Sequence, residues 1–151
     1  MFKKIYIAFI SITAVMIALF AGKYFSQIGV NGWYVAASKP LLTPPNYVFP
    51  IVWGFLYILQ AWAFYRILYY NKGGDAASLM IIQLSLQVMW CLTFFALESA
   101  IMGLVVLIML LITAFILIKM LKNRDILSAR LLYPYFVWLL FAGYLNLSFV
   151  W

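Results

Sequence analysis

The run AIMGLVVLIMLLITAFILIKMLKNRD, Ala100–Asp125, decides the solvent in which this chain folds. No charged side chain stands between Ala100 and Ile118, and then Lys119, Lys122, Arg124 and Asp125 arrive together. A helix of roughly 20 apolar residues crosses the hydrocarbon layer of a bilayer, where only a helix or a closed barrel satisfies its own backbone amides. The run therefore reads as a membrane-spanning helix that ends in a basic interfacial cluster.

The rest of the chain repeats this pattern. Of 151 residues, 69% are hydrophobic and only 9% charged, with mean hydropathy +1.10, whereas a soluble domain carries about 45 to 50% apolar and about 25% charged residues. Five spans would use about 100 residues, leaving room for connections but not for a separate soluble domain. The expected fold is an all-α integral membrane protein. A single bundle of five transmembrane helices, at about 5–26, 46–70, 76–97, 100–121 and 128–151, carries a long loop between the first two.

The first run follows Lys3 and Lys4 as a secretory signal would. Its apolar stretch exceeds the usual 7 to 15 residues, and Leu19-Phe20-Ala21 is a poor cleavage site, so it reads as an uncleaved helix. Ala14, Ala18 and Gly22 form a small-residue stripe that admits close helix packing. Residues 27–46 break the apolar pattern with Gly29, Gly32, Pro40, Pro44 and Pro45, and long loops in compact domains are usually lids or binding loops. Trp33 and Tyr34 suit a membrane interface. Asn46 is a candidate N-cap with Pro50 in the first turn. Asn71 to Asp75 makes a polar turn, and Pro134 is placed to kink the fifth helix by freeing the carbonyl of Arg130.

Basic residues set the expected orientation. Lys3, Lys4, Arg66, Lys72, Lys119, Lys122, Arg124 and Arg130 fall on the N-terminal side, against Lys23 and Lys39 on the other. The positive-inside rule then puts the N-terminus in the cytoplasm, with the long first loop and the C-terminus opposite. The same distribution explains the net charge of +7 without nucleic acid as a partner.

The inventory excludes much chemistry. There is no histidine, which removes imidazole bases and histidine-held metals or haem. Cys91 is the single cysteine, and Asp75, Glu98 and Asp125 are too scattered for a paired-carboxylate site, so no metal site is expected. Arg66, Glu98 and Lys119 lie near helix ends, and no ionisable group sits mid-span as a pump or ion channel would need.

Three helices carry matching stripes. Trp53, Tyr57, Gln60 and Phe64 on the second, and Gln83, Gln87, Trp90 and Phe94 on the third, stand at i, i+4, i+7 and i+11. On the fifth, Tyr135, Trp138, Ala142, Leu145 and Phe149 share a face with Asn146 beside it. Amides have no use against lipid, so these faces point inward. Two readings stay open: the amides bond across helices as packing glue, or they orient a flat hydrophobic ligand in an aromatic cavity.

Trp33-Tyr34, Lys39-Pro40, Thr43-Pro44-Pro45, Phe49, Trp53 and Tyr57 resemble the signature of the translocator protein family, also called tryptophan-rich sensory protein or peripheral benzodiazepine receptor. Gln83-Leu84 with Trp90 and Phe94-Phe95 resembles its third helix, and Pro134-Tyr135, Trp138, Phe141-Ala142 and Leu145-Asn146 its fifth. The resemblance implies a homodimeric five-helix membrane protein that binds porphyrins such as protoporphyrin IX, benzodiazepine-type ligands and, in some members, cholesterol. Carried over by position, it implies ligand-binding roles for Tyr34, Trp53, Tyr57, Gln87, Trp90, Trp138, Ala142 and Leu145. It also implies that Trp53 and Trp138 serve any light-dependent porphyrin degradation, and that porphyrin is a ligand and not an obligatory cofactor.

This chain departs from the family at Leu42, where an aromatic is common, and at Gln87, where asparagine is common. It also ends at Trp151 without the C-terminal cholesterol motif of animal members. Beside the sensor or scavenger reading, in which porphyrin propionates reach Lys39 or another interfacial base, stand two rivals. One is a carrier that moves porphyrin or sterol through the membrane, and the other a regulatory subunit whose helices only pack against a partner.

Overall fold

The computed structural model describes residues 2–70 and 74–150. Its helices are α1 (Phe2–Val30), α2 (Trp33–Ala36), α3 (Val48–Tyr70), α4 (Gly74–Cys91), α5 (Ala100–Lys122) and α6 (Ile126–Leu147), with a π-turn, Leu92–Ala96, continuing α4. Five of these, with α4 and its π-turn counted as one, are long and apolar enough to cross a membrane. The protein is an all-α, five-helix membrane bundle.

Neighbour contacts arrange the spans as a ring in the order α1, α4, α5, α6, α3 and back to α1. Water cannot drive this packing within lipid, so close van der Waals fit and interhelical hydrogen bonds hold it. The outer faces are apolar, as lipid demands: Ile51, Phe55, Ile58 and Trp62 on α3, and Ile101, Val105, Ile108 and Ile112 on α5. Facing inward are the stripes, with Tyr57, Gln60 and Phe64, then Gln83, Gln87, Trp90 and Phe94, then Tyr135, Ala142, Leu145 and Asn146, all buried.

Several bounds differ from the expected ones. The first helix runs on to Val30 instead of stopping near residue 26, because Gly29 is used for packing and not for a turn. A Cβ there would lie 2.5 Å from the carbonyl oxygen of Phe95 and 2.8 Å from its Cα, so only glycine lets α1 approach the π-turn this closely. The long loop is correspondingly shorter and contains α2. The next helix begins at Val48, two residues after Asn46, with the Val48 amide donating to the Pro45 carbonyl at 2.9 Å. The third span starts at Gly74 instead of residue 76 and changes to π geometry at Leu92. Glu98 follows in the left-handed region at φ 55, and the Ser99 hydroxyl caps α5 by accepting from the Met102 amide. The fourth span ends at Lys122 instead of residue 121, and the last runs from Ile126 to Leu147, not from 128 to the terminus. Most of the expected 71–75 turn, and Trp151, lie outside the described residues.

Two arginine–carboxylate pairs tie the end of the bundle opposite α2. Arg66 grips Asp125 through two nitrogens at 3.0 and 2.8 Å, and Arg124 grips Asp75 at 2.7 and 2.8 Å. Arg66, near the end of its helix as the sequence places it, joins α3 to the start of α6.

Candidate functional site

Trp33 and Tyr34 open α2, and packing decides what they do. They fold inward onto the bundle. The Trp33 ring meets Phe94 at 5.3 Å and Phe149 at 5.9 Å, and its Nε1 donates to the Phe95 carbonyl at 3.0 Å. Tyr34 is buried against Phe95 and Phe149, both at 5.5 Å. Together they roof one end of the ring.

Beneath this roof is a cavity of about 530 Å³, walled by α1, α3, α4 with its π-turn, and α6; α5 contributes nothing to it. Its volume falls within the roughly 300–1,000 Å³ of small-molecule sites. Tyr34, Trp53, Tyr57, Gln87, Trp90, Trp138, Ala142 and Leu145 all stand on its wall. Four separate elements bring these eight side chains together.

The aromatic walls are interlocked. Trp53 lies 5.8 Å from Tyr57 and 6.1 Å from Trp90, and Trp90 stacks on Phe94 at 5.9 Å with 15° between planes. One face of Trp90 is thus already covered. Phe49 meets Trp138 edge-on at 6.0 Å, bridging α3 and α6.

The amides divide between packing and the cavity. Gln83 accepts from the Tyr135 hydroxyl at 2.7 Å and donates to the Leu110 carbonyl at 3.1 Å and to Thr113, which binds α4, α5 and α6 together. Asn146 accepts from the Trp90 Nε1 at 3.0 Å and donates to the Ala100 carbonyl at 2.8 Å. Both are interhelical glue of the kind a bilayer rewards. Gln87 donates to Gln60 Oε1 at 3.1 Å, but Gln87 Oε1, Gln60 Nε2 and Trp138 Nε1 are buried with no hydrogen-bond partner among the described residues. Gln87 and Trp138 are on the cavity wall. A buried polar atom left unpaired costs about 1–3 kcal/mol. An occupant that accepts from Trp138 and donates to Gln87 removes that cost.

Sequence reasoning missed the contribution of α1. Gly22, Lys23, Ser26 and Gln27 line the cavity, and a Cβ on Gly22 would sit 3.4 Å from Cys91 Sγ. The one available signal was the Ala14–Ala18–Gly22 stripe, which announces a close approach but not a cavity. Lys39 places its Nζ 4.9 Å from the Tyr34 ring centroid, and Lys23 is the charged residue among the described residues of the cavity wall.

Comparison with known proteins agrees with this architecture. The sequence model of the TspO/MBR family matches residues 9–151. The chain is 36% identical over 141 residues to the tryptophan-rich protein TspO of Archaeoglobus fulgidus, covering 91% of each chain. It is 34% identical over 135 residues to the tryptophan-rich protein TspO of Chlorobaculum tepidum, covering 85% of this chain and 84% of the relative. To the human translocator protein it is 31% identical over 135 residues, covering 84% and 78%. With five spanning helices and a match over nearly its whole length, the chain belongs to the TspO/MBR family.

Proposed function

We propose that this protein is a membrane receptor that takes porphyrins such as protoporphyrin IX, and benzodiazepine-type molecules of similar flatness, into the cavity beneath α2. The observation that carries the reading is the pairing of aromatic walls with an unpartnered Trp138 N–H and an unpartnered Gln87 carbonyl. Apolar rings supply contact area, and the two polar atoms set orientation, the usual division of labour in small-molecule sites. Tyr34 closes the upper end, and Ala142 and Leu145 keep the α6 wall smooth.

Trp53 and Trp138 both stand on the cavity wall, which favours light-dependent porphyrin degradation as an added activity. An excited porphyrin beside an indole can take an electron from it and pass one on to dissolved dioxygen, which is the oxidant for ring degradation, with no acid–base groups required. Homodimer assembly accompanies the receptor reading as the family's usual state.

The test is a protoporphyrin IX titration of purified protein, followed by quenching of tryptophan emission and by the Soret band in darkness and under light. Trp138→Phe should weaken binding about three- to tenfold, since one hydrogen bond is worth about 0.5–1.5 kcal/mol. Quenching that Trp138→Phe and Trp53→Phe leave unchanged overturns the cavity assignment. A Soret band that persists equally in light and darkness removes the degradation reading. Protein-dependent porphyrin flux into proteoliposomes would favour the carrier.

A further inference from the structure

Lys23 is the one charged side chain among the described residues that line the cavity, and it stands at the mouth. Cavity-wall residues that are also exposed mark this mouth: Lys23 and Gln27 on α1 face Asn46 and Pro50 at the start of α3. One turn deeper on each bank, Leu19 and Gly54 are half-buried. A Cβ on Gly54 would meet nothing within 4 Å, so that bank is open.

Depth gives the lysine its setting. From Lys4 to Lys23 α1 rises about 29 Å at 1.5 Å per residue, close to the roughly 30 Å hydrocarbon thickness. Lys23 therefore lies at an interface, and the cavity descends from it past Trp53 and Tyr57 into apolar depth. Among the described residues Lys23 forms no ion pair. Lys39, the other cation at this end, already lies over the Tyr34 ring. Gln27 and Asn46 add amide donors to the same wall. Among the described residues, each strong group at the mouth can donate, and no carboxylate side chain lines the cavity.

We infer that the mouth selects ligands that join an apolar body to a carboxylate end, with Lys23 holding the carboxylate at the interface while the body fills the aromatic cavity. The inference rests on the receptor reading and names its ligand class. It needs no buried ion pair, because both charges remain at the level where water reaches them. That geometry makes the contact a filter on ligand chemistry more than a source of great affinity.

The experiment compares protoporphyrin IX with its dimethyl ester, and cis-parinaric acid with its methyl ester, on full-length protein in zwitterionic nanodiscs. Wild type should favour each acid over its ester by about three- to tenfold. Lys23→Gln should level the acid and ester affinities, whereas Lys23→Arg, and Lys119→Gln at the opposite end, should keep the preference. An acid-to-ester ratio that Lys23→Gln does not change overturns the inference. If both porphyrins bind wild type equally, the receptor reading stands and the role of Lys23 falls. If the fatty acid is discriminated through Lys23 but neither porphyrin binds, the role of Lys23 stands and the tetrapyrrole reading falls. Binding by neither pair overturns both. Loss of the preference when phosphatidylglycerol replaces part of the disc lipid assigns the mouth to a lipid phosphate and also overturns the inference.

Discussion

The indole Nε1 of Trp33 donates to the backbone carbonyl of Phe95 at 3.0 Å, fastening α2 to the π-turn that ends α4. A π-turn disturbs the regular carbonyl pairing of an α-helix and recurs at functional sites. Here its Phe95 carbonyl receives the roof of the cavity. The same residue's backbone is what Gly29 of α1 approaches, so three elements meet at one peptide unit.

Trp33→Phe keeps the ring and removes the donor. One net hydrogen bond is worth about 1 kcal/mol, too little to unfold the bundle but enough to raise the open population of a short segment about fivefold. Amide hydrogen exchange in residues 33–37 should accelerate by that factor, while the Tm of the whole protein stays nearly constant. Unchanged exchange there would mean that the ring contacts with Phe94 and Phe149 hold α2 unaided.

Asp125 gives a pH dependence with a definite sign. Burial alone would raise its pKa, but the Arg66 guanidinium and the Ser128 hydroxyl at 2.5 Å together outweigh burial and hold it below the usual value. The folded pKa is thus lower than the unfolded one. The stabilisation is complete above the ordinary aspartate range near pH 4 and is lost as pH falls through the lowered folded value. Asp125→Asn should remove this acid-side slope and cost about 1–3 kcal/mol, because it strands a half-buried guanidinium. Asp75→Asn, in the exposed pair with Arg124, should change the Tm little. Thermal unfolding in detergent between pH 3 and 7 checks both.

The fold was legible because each span announces itself by composition, and the inward faces were legible because amides such as Gln60 and Gln87 recur at helical spacing. The resemblance, not periodicity, gave Tyr34 a ligand-binding role, whereas Ala142 already stood on the stripe of the fifth helix. What stayed hidden depends on contacts between distant segments. Gly29 reads as a turn signal, yet its use is a close approach to Phe95. Lys23 reads as an orientation charge, yet its helix borders the cavity. Arg66 and Asp125 are 59 residues apart, and no local pattern links them.

Tyr135 tests the glue reading by itself. It is 2% exposed, and its hydroxyl donates to Gln83 Oε1. Tyr135→Phe preserves shape and leaves that oxygen unpaired in the bundle centre. Interhelical side-chain bonds in membranes are worth about 0.6–2 kcal/mol, so the Tm should fall by a few degrees while porphyrin affinity holds, since neither Gln83 nor Tyr135 lines the cavity. A loss of affinity without loss of Tm would place Tyr135 in the site.

Gly29 and Gly54 lie within helices, where glycine costs about 0.5–1 kcal/mol relative to alanine, but they predict opposite outcomes. Gly29→Ala forces a Cβ against Phe95 backbone atoms, which cannot swing aside as a flexible side chain can. It should destabilise by about 1–3 kcal/mol and loosen α2 by displacing the carbonyl that Trp33 uses. Gly54→Ala meets nothing and should stabilise by about 0.5–1 kcal/mol. Gly54→Leu on the same open bank should retain a near-native Tm yet slow porphyrin association at least threefold, because it fills the mouth and not the cavity floor. Stopped-flow quenching beside thermal unfolding separates the two. An unchanged association rate in Gly54→Leu would show that ligand does not pass between α1 and α3.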